Sequence, residues 1–338
     1  MKASSVNIQK IKILSLVALF GVLFFACENQ PAKPKTTTSP QKPSAMIIPD
    51  FNADSAYAYV AAQVAFGPRV PGTEAHQACA NWLSEKLESF GGMVTIQDFK
   101  TRVYTGKIYS GKNIIAAFNP EAKKRIMLSA HWDSRPYADY DDDEANHRKP
   151  IDGANDGASG VGVLLEIARI LQQQSPAVGV DIFFWDLEDY GEHREDMGSH
   201  QNSWGLGSQY WSKNPHKPGY RAAFGILLDM VGAANPTFYR EYYSNMYAPA
   251  VVDKVWKIAA SMGYQNYFIN QAEGVVMDDH YYINTIAGIP TIDIIHYNPA
   301  SKNGFFPQWH TQGDNMDIID KSTLKMVGNV VAKVVYQE

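Results

Sequence analysis

Cysteine is nearly absent: 338 residues contain only Cys27 and Cys79, too few for a disulfide framework. An excess of positive charge is missing as well. Lys and Arg number 30 against 35 Asp and Glu, and the formal net charge is −5 with a pI of about 6.0. That balance argues against nucleic acid as a partner. No glycine-rich motif of the phosphate-cradling kind is present, and no internal repeat. An apolar run at residues 13–26 is too short for a comfortable transmembrane span.

That run has a different reading. Lys2, Lys10 and Lys12 precede it, giving a basic segment followed by an apolar one, the order of a signal peptide. It ends in Leu23-Phe24-Phe25-Ala26-Cys27. A small residue directly before a lone Cys resembles a bacterial lipobox, with Phe24 where Leu is usual. Residues 1–26 are therefore expected to be a signal peptide, cleaved before Cys27, whose thiol is then lipidated. A plain signal peptide or an uncleaved anchor is the alternative. Residues 27–50 are rich in Pro, Lys, Thr, Ser and Gln without apolar period, and read as a disordered, lipid-anchored tether. The folded domain is expected over 51–338. Export with no structural disulfide fits a membrane-anchored lipoprotein of the bacterial envelope facing the periplasm, or a soluble periplasmic protein.

Hydrophobic residues make up 45% and aromatics 12% of the chain, enough for one large core. Residues 55–66 read as a helix that Asn52 or Asp54 caps. A helix over 74–90 follows, with Ala78, Trp82, Leu83 and Leu87 on one face and Cys79 as a small packed hydrophobe. Strands are expected at 93–103 and 107–118, linked around Gly106. Then the period changes. Strands at 125–130, 180–185, 224–228, 267–270 and 291–295 alternate with helices at 157–173, 207–211, 249–262, 279–287 and 322–335. The expected fold is α/β: a single domain with a mixed, mainly parallel central sheet flanked by helices. In such sheets ligands bind beyond the carboxyl ends of the strands.

Chemistry-bearing residues fall at those ends. Ala130-His131-Trp132-Asp133-Ser134 closes the 125–130 strand, and His131 and Asp133 can point into one crevice. Asp156 sits among small residues, Gly153 to Gly160, that let backbone pass close to a ligand; as a lone Asp it could equally cap a helix. Glu188 and Asp189 follow an apolar strand, and two adjacent acids are costly to bury as charges. A cation would neutralise one and leave the other as a proton carrier; a solvated acidic turn is the plainer reading. Asp229 ends another apolar strand. Asp278 and Asp279 precede Tyr281 and Tyr282, one acid to cap a helix while the other faces the site. His310 lies between Trp309 and Thr311. Oxygen and imidazole donors that converge in this way suit zinc. His147, His193, His200, His216 and His296 read as surface or packing residues, and the acids from Asp139 to Glu144 as a solvated loop.

Together, His131-Trp132-Asp133-Ser134, Asp156, Glu188-Asp189, Asp229 and His310 resemble the zinc-dependent aminopeptidase clan. Residues 228–238, Asp278-Asp279-His280 and Trp309-His310-Thr311 resemble more narrowly the animal-type glutaminyl-peptide cyclotransferases, here in a bacterial lipoprotein form. The resemblance implies one zinc per chain on Asp156, Asp189 and His310, with Glu188, Asp229 and Asp278 catalytic. It leaves His131 and Asp133 as supports. In the aminopeptidases His131 would hold a second metal bridged by Asp156, and spacing does not choose between the two. Substrates would be peptides or proteins with an N-terminal Gln, converted to pyroglutamate with loss of ammonia by intramolecular aminolysis. Trp309 would wall the pocket, and Asp278, hydrogen-bonded towards Asp229, would orient the leaving nitrogen. There are departures from the animal pattern. Asp189 stands where those enzymes carry Glu, Arg194 near their second pocket tryptophan, with Trp204 as its substitute, and their disulfide is missing. A monomer is expected. The rival readings are a zinc-dependent aminopeptidase on the same fold and a lipid-tethered binding protein with a degenerate site.

Overall fold

The computed structural model describes residues 48–338. The expected signal peptide, Cys27 and nearly all of the tether lie outside the described residues. Helix α1 (Ala53–Val64) begins where the Asn52 side chain accepts from Ser55 N, a standard N-cap. Thr73 does the same for α2 (Glu74–Ser89), accepting from His76 N. The buried face of α2 is His76, Cys79, Ala80, Leu83 and Leu87, while Ala78 is exposed. The expected face is thus displaced, because His76 turns inward: its Nε2 lies 2.9 Å from Asp186 and its ring stacks on Trp132.

Strands β1 (Met93–Arg102) and β2 (Ile108–Phe118) pair antiparallel across the turn at Gly106. The alternating part follows: β3 (Arg125–His131), α3 (Ala158–Gln173), β4 (Gly179–Trp185), α4 (Leu206–Lys213) and β5 (Gly225–Asp229). Beyond it lie β6 (Phe238–Arg240), α5 (Tyr242–Tyr247), α6 (Pro249–Ser261), β7 (Phe268–Ala272), α7 (Asp279–Tyr282), β8 (Thr291–Ile295) and α8 (Lys321–Tyr336). The expected 279–287 helix divides after Tyr282, where a π-helical turn (Ile283–Ala287) takes over. The sequence pattern predicts neither β6 nor α5; elements of three and six residues are too short to show a period.

The main sheet has six strands in the order β1-β2-β4-β3-β5-β8, and β6 pairs with β7 outside it. Strand β2 meets β4 antiparallel, whereas β4, β3, β5 and β8 are parallel neighbours. The sheet is therefore mixed and mainly parallel, as its sequence implied. One face packs against α1, α2, α3, α6 and α8; Trp211 of α4 and Ile283 of the π turn pack on the other. Strands covered on both faces need apolar side chains throughout, which accounts for the fully buried runs of β4, β5 and β8. Parallel strands also end on the same side, so His131, Trp185, Asp229 and Ile295 close one edge of the sheet. No helix among the described residues is long and apolar enough to cross a membrane.

Candidate metal centre

That edge carries the site. Asp156 comes from the segment entering α3, Asp189 from the turn after β4, and His310 from the loop between β8 and α8. One donor atom from each lies within 4.8 Å of the others, and all three residues are buried. His310 Nε2 is 3.3 Å from Asp189 Oδ1 and 3.6 Å from Asp156 Oδ2. Asp189 Oδ2 is buried without a partner. Two carboxylates and an imidazole facing each other, with an orphaned oxygen among them, fit a zinc ion.

Close backbone packing sets these positions. A Cβ on Gly157 (φ +98°) would meet Asp133 O at 2.5 Å, and one on Gly160 would meet Leu228 O at 2.3 Å. The small residues around Asp156 thus bring α3 against β3 and β5, which the sequence had read as room for a ligand. Asp156 does not cap α3; Gly157 holds that position without a side-chain bond. The Asp156 and Asn155 amides donate instead to Asp314, at 3.0 and 2.7 Å. Asp133, wholly buried, accepts from Glu188 N and Asp189 N, each at 3.2 Å, and so fixes the acid pair. Leu187, Met230 and His310 all have left-handed backbone, with φ of 55°, 50° and 54°. These conformations are strained for residues with a Cβ, and they occur beside Glu188, beside Asp229 and at His310 itself.

His131 Nε2 lies 2.9 Å from Asp156 Oδ1 and 3.2 Å from Asp229 Oδ1, and Nδ1 faces Asp133 at 3.5 Å. His131, Asp156 and Asp229 form a second group with metal-holding spacing. The acids crowd one another. Burial, and then Asp278, pushes the Glu188 carboxyl well up. Burial, and then Asp156, raises Asp189 to about 6. Burial lifts Asp229 to about 7 although His131 pulls it back. A divalent cation among them would relieve that strain. The expected bond from Asp278 towards Asp229 is not made. Asp278 accepts from Asp279 N at the start of α7, its Oδ2 has no partner, and Asp229 pairs with His131. Asp278 both caps the helix and lines the site, while Asp279 is wholly buried.

Glu188, Asp229 and Asp278 line a cavity of about 780 Å³ with Asp156, Asp189 and His310. Trp309 and Trp204 are in its wall. Trp309 stacks on the His310 ring at 3.6 Å, and Trp204 lies nearly parallel to the same ring at 5.9 Å. Arg194 faces Tyr140 at 5.8 Å and is not among the lining residues. His200 is an exposed surface residue, as expected, that also borders the cavity mouth.

Residues 113–335 match peptidase family M28. The chain belongs to this family. The glutaminyl-peptide cyclotransferase of Drosophila melanogaster is 28% identical over 286 residues, covering 76% of this chain and 73% of that protein. Among solved structures, Bacteroides thetaiotaomicron glutaminyl cyclase bound to N-acetylhistamine is 55% identical, with a TM-score of 0.84 over 86% of this chain and 100% of that one. A Zn-dependent exopeptidase from Parabacteroides distasonis is 53% identical, with a TM-score of 0.85 and the same coverage.

Around the edge of this M28 site lie groups that the sequence did not disclose. Asp139 is wholly buried, so the expected solvated loop is confined to Asp142, Asp143 and Glu144, with Asp141 half-buried. Arg135, also wholly buried, donates to both Asp139 oxygens at 2.8 and 2.7 Å. No local signal marked the pair, because residues 135–139 are not helical and a spacing of four carries meaning only on a helix. Asp293 is wholly buried in β8 with neither oxygen partnered, near His280, which bonds Glu241 at 3.0 Å. A single acid inside an otherwise apolar strand would have marked it.

Proposed function

We propose that this chain is a glutaminyl-peptide cyclotransferase that converts the N-terminal Gln of peptides or proteins to pyroglutamate and releases ammonia. The reading is carried by the 55% identity to a solved glutaminyl cyclase over nearly the whole described chain. The acids and tryptophans gathered in one cavity support it. One zinc per chain, on Asp156, Asp189 and His310, would supply Lewis-acid polarisation of the Gln γ-carbonyl and a counter-charge for its oxygen. A single ion is what the likeness to the glutaminyl cyclases supports; the His131, Asp156 and Asp229 group would hold a second ion in the aminopeptidase alternative.

The remaining work falls to side chains. Trp309 and Trp204 wall the space for a folded Gln side chain and hold its α-amine against its own Cδ. Glu188 accepts a proton from the attacking amine and returns it to the departing nitrogen. The N–Cδ bond of the ring forms, the bond from Cδ to the amide nitrogen breaks, and no net proton is taken up. Asp278, whose side chain lines the same space, accepts from the leaving carboxamide N–H. Asp229, held by His131, faces the same space. The nucleophile is the substrate's own amine, so no Ser or Cys nucleophile is required.

Parallel incubation of the purified protein with Gln-Ala and Leu-Ala tests this. Ammonia released from Gln-Ala, with the matching mass loss, and its abolition by a chelator are expected. Free Leu from the second peptide would overturn the reading in favour of an aminopeptidase using the His131-Asp156-Asp229 group. Inactivity on both with zinc bound would leave a binding protein.

The envelope reading rests on Lys2, Lys10, Lys12, the 13–26 apolar run and Cys27. The chain is proposed to be a monomer anchored through a lipidated Cys27 and facing the periplasm. Incorporation of labelled palmitate, lost in Cys27→Ser, is the expected outcome; a soluble wild-type product without label would sink it.

A further inference from the structure

We infer that Arg135 and Asp139 are positioning residues that hold His310 and Asp189 in ligating geometry, and that the acidic loop following them braces this clamp. The inference rests on the reading of Asp156, Asp189 and His310 as a cation site. Its first support is the direction of His310. Nε2 points at Asp156 and Asp189, while Nδ1 is buried, makes no hydrogen bond of good geometry, and has Asp139 Oδ1 facing it at 3.5 Å. A carboxylate behind the far nitrogen sets the tautomer that leaves Nε2 free to ligate. The second support is Arg135. Its fork holds both Asp139 oxygens, and Nη1 donates to Asp189 O at 3.1 Å and lies 3.6 Å from Asp189 Oδ1. Nη2 reaches Glu192 O at 2.8 Å. One guanidinium thus ties the carboxylate behind His310 to the backbone that carries Asp189. Its plane also lies over Trp204, 4.6 Å from the ring, which links the clamp to the cavity wall.

The third support is backbone strain. His310 has φ +54°, a conformation that persists only where the surroundings over-determine it. The acidic loop supplies those surroundings. Tyr140 N donates to His310 O at 3.1 Å, Gln312 N to Asp141 Oδ2 at 2.9 Å, and Gln312 Nε2 to Pro150 O at 2.9 Å. The loop therefore grips the chain at His310 and again two residues beyond it. Asp189 is one methylene shorter than the Glu of the animal pattern, so its exact placement matters more, and Arg135 is the group behind it.

Zinc affinity, measured by competition against a chromophoric chelator on the full-length protein, tests the clamp. Asp139→Asn keeps the shape and one acceptor but loses the charge, and a 10- to 100-fold weaker affinity is expected. Arg135→Lys keeps the charge but loses the fork, and should weaken zinc in the same way. Asp141→Ala touches neither buried partner and should weaken it several-fold through the brace alone. Asp139→Glu is expected to restore part of the affinity lost in Asp139→Asn. Unchanged affinity in folded Asp139→Asn overturns the proposal, as does a loss that only tracks the stability of the zinc-free protein. If Asp139→Asn does not fold, Asp141→Ala decides by the same criterion. Failure of the wild-type protein to bind zinc would overturn the reading of the site itself, and the clamp with it.

Discussion

Glu188 and His296 are both buried, and burial acts on them through opposite charges. Glu188 is held in place by its backbone bond to Asp133, so Glu188→Gln should leave the cavity shape intact while removing the proton carrier. A fall in kcat of about 10²- to 10⁴-fold is expected, with KM and zinc content nearly unchanged, in a steady-state ammonia assay. His296 stacks on Phe306 and its Nδ1 has no partner. Burial lowers its imidazole to about 4, below the ordinary value near 6.5. In this window the unfolded chain binds a proton that the folded one refuses. The His296 share of stability is therefore intact above about pH 6.5 and is lost progressively as pH falls towards 4. Between pH 7.5 and 5 that share falls by about 2 kcal/mol, while Asp189 and Asp229, raised to about 6 and about 7, act in the opposite direction. Urea unfolding of the wild type and of His296→Gln at both pH values isolates it, because the stability difference between the two proteins should shift by that amount.

Between elements, the contact of α3 with β5 decides how close Asp156 comes to Asp229. Gly160 lies in the first turn of α3, and a Cβ there would meet Leu228 O, in β5, at 2.3 Å. Backbone cannot yield as a side-chain tip can. Gly160→Ala should therefore cost about 1–3 kcal/mol and should also weaken zinc binding, because Asp156 precedes α3 and Asp229 ends β5. Denaturation of the zinc-free protein and chelator competition separate the two effects; a stability loss with zinc affinity unchanged would contradict the coupling. Elements of this kind were legible from sequence where they were long. The run 157–173 carried helical period, and the strand ends after β3, β4 and β5 were recognisable from their apolar cores. The three residues of β6 and six of α5 carried too little pattern.

In the molecule as a whole, buried carboxylates converge on one edge from segments distant in sequence. A cation that binds only this arrangement stabilises the fold by mass action. With free zinc at a hundred times its dissociation constant, stabilisation of about 2.7 kcal/mol should raise Tm by roughly 4–5 °C for a domain of this size. A thermal scan of chelator-treated protein with and without added zinc measures this, and an unchanged Tm would contradict a zinc site on these residues.

The sequence by itself determined the alternation of strands and helices, the mainly parallel sheet and the side of it that carries the chemistry. These follow from local period and from apolar runs, which each segment holds within itself. It also marked Asp156, Glu188, Asp189, Asp229, Asp278 and His310, because acids and a histidine at the ends of buried strands or in an aromatic loop stand out locally. Only the tertiary structure decided which of them meet. It set Asp229 against His131 in place of Asp278, buried Asp139 behind His310, and brought Asp314 to the amide of Asp156 across 158 residues of chain. Such contacts depend on how crossovers return the chain to the sheet edge, and no stretch of sequence encodes a distance to a partner it does not contain.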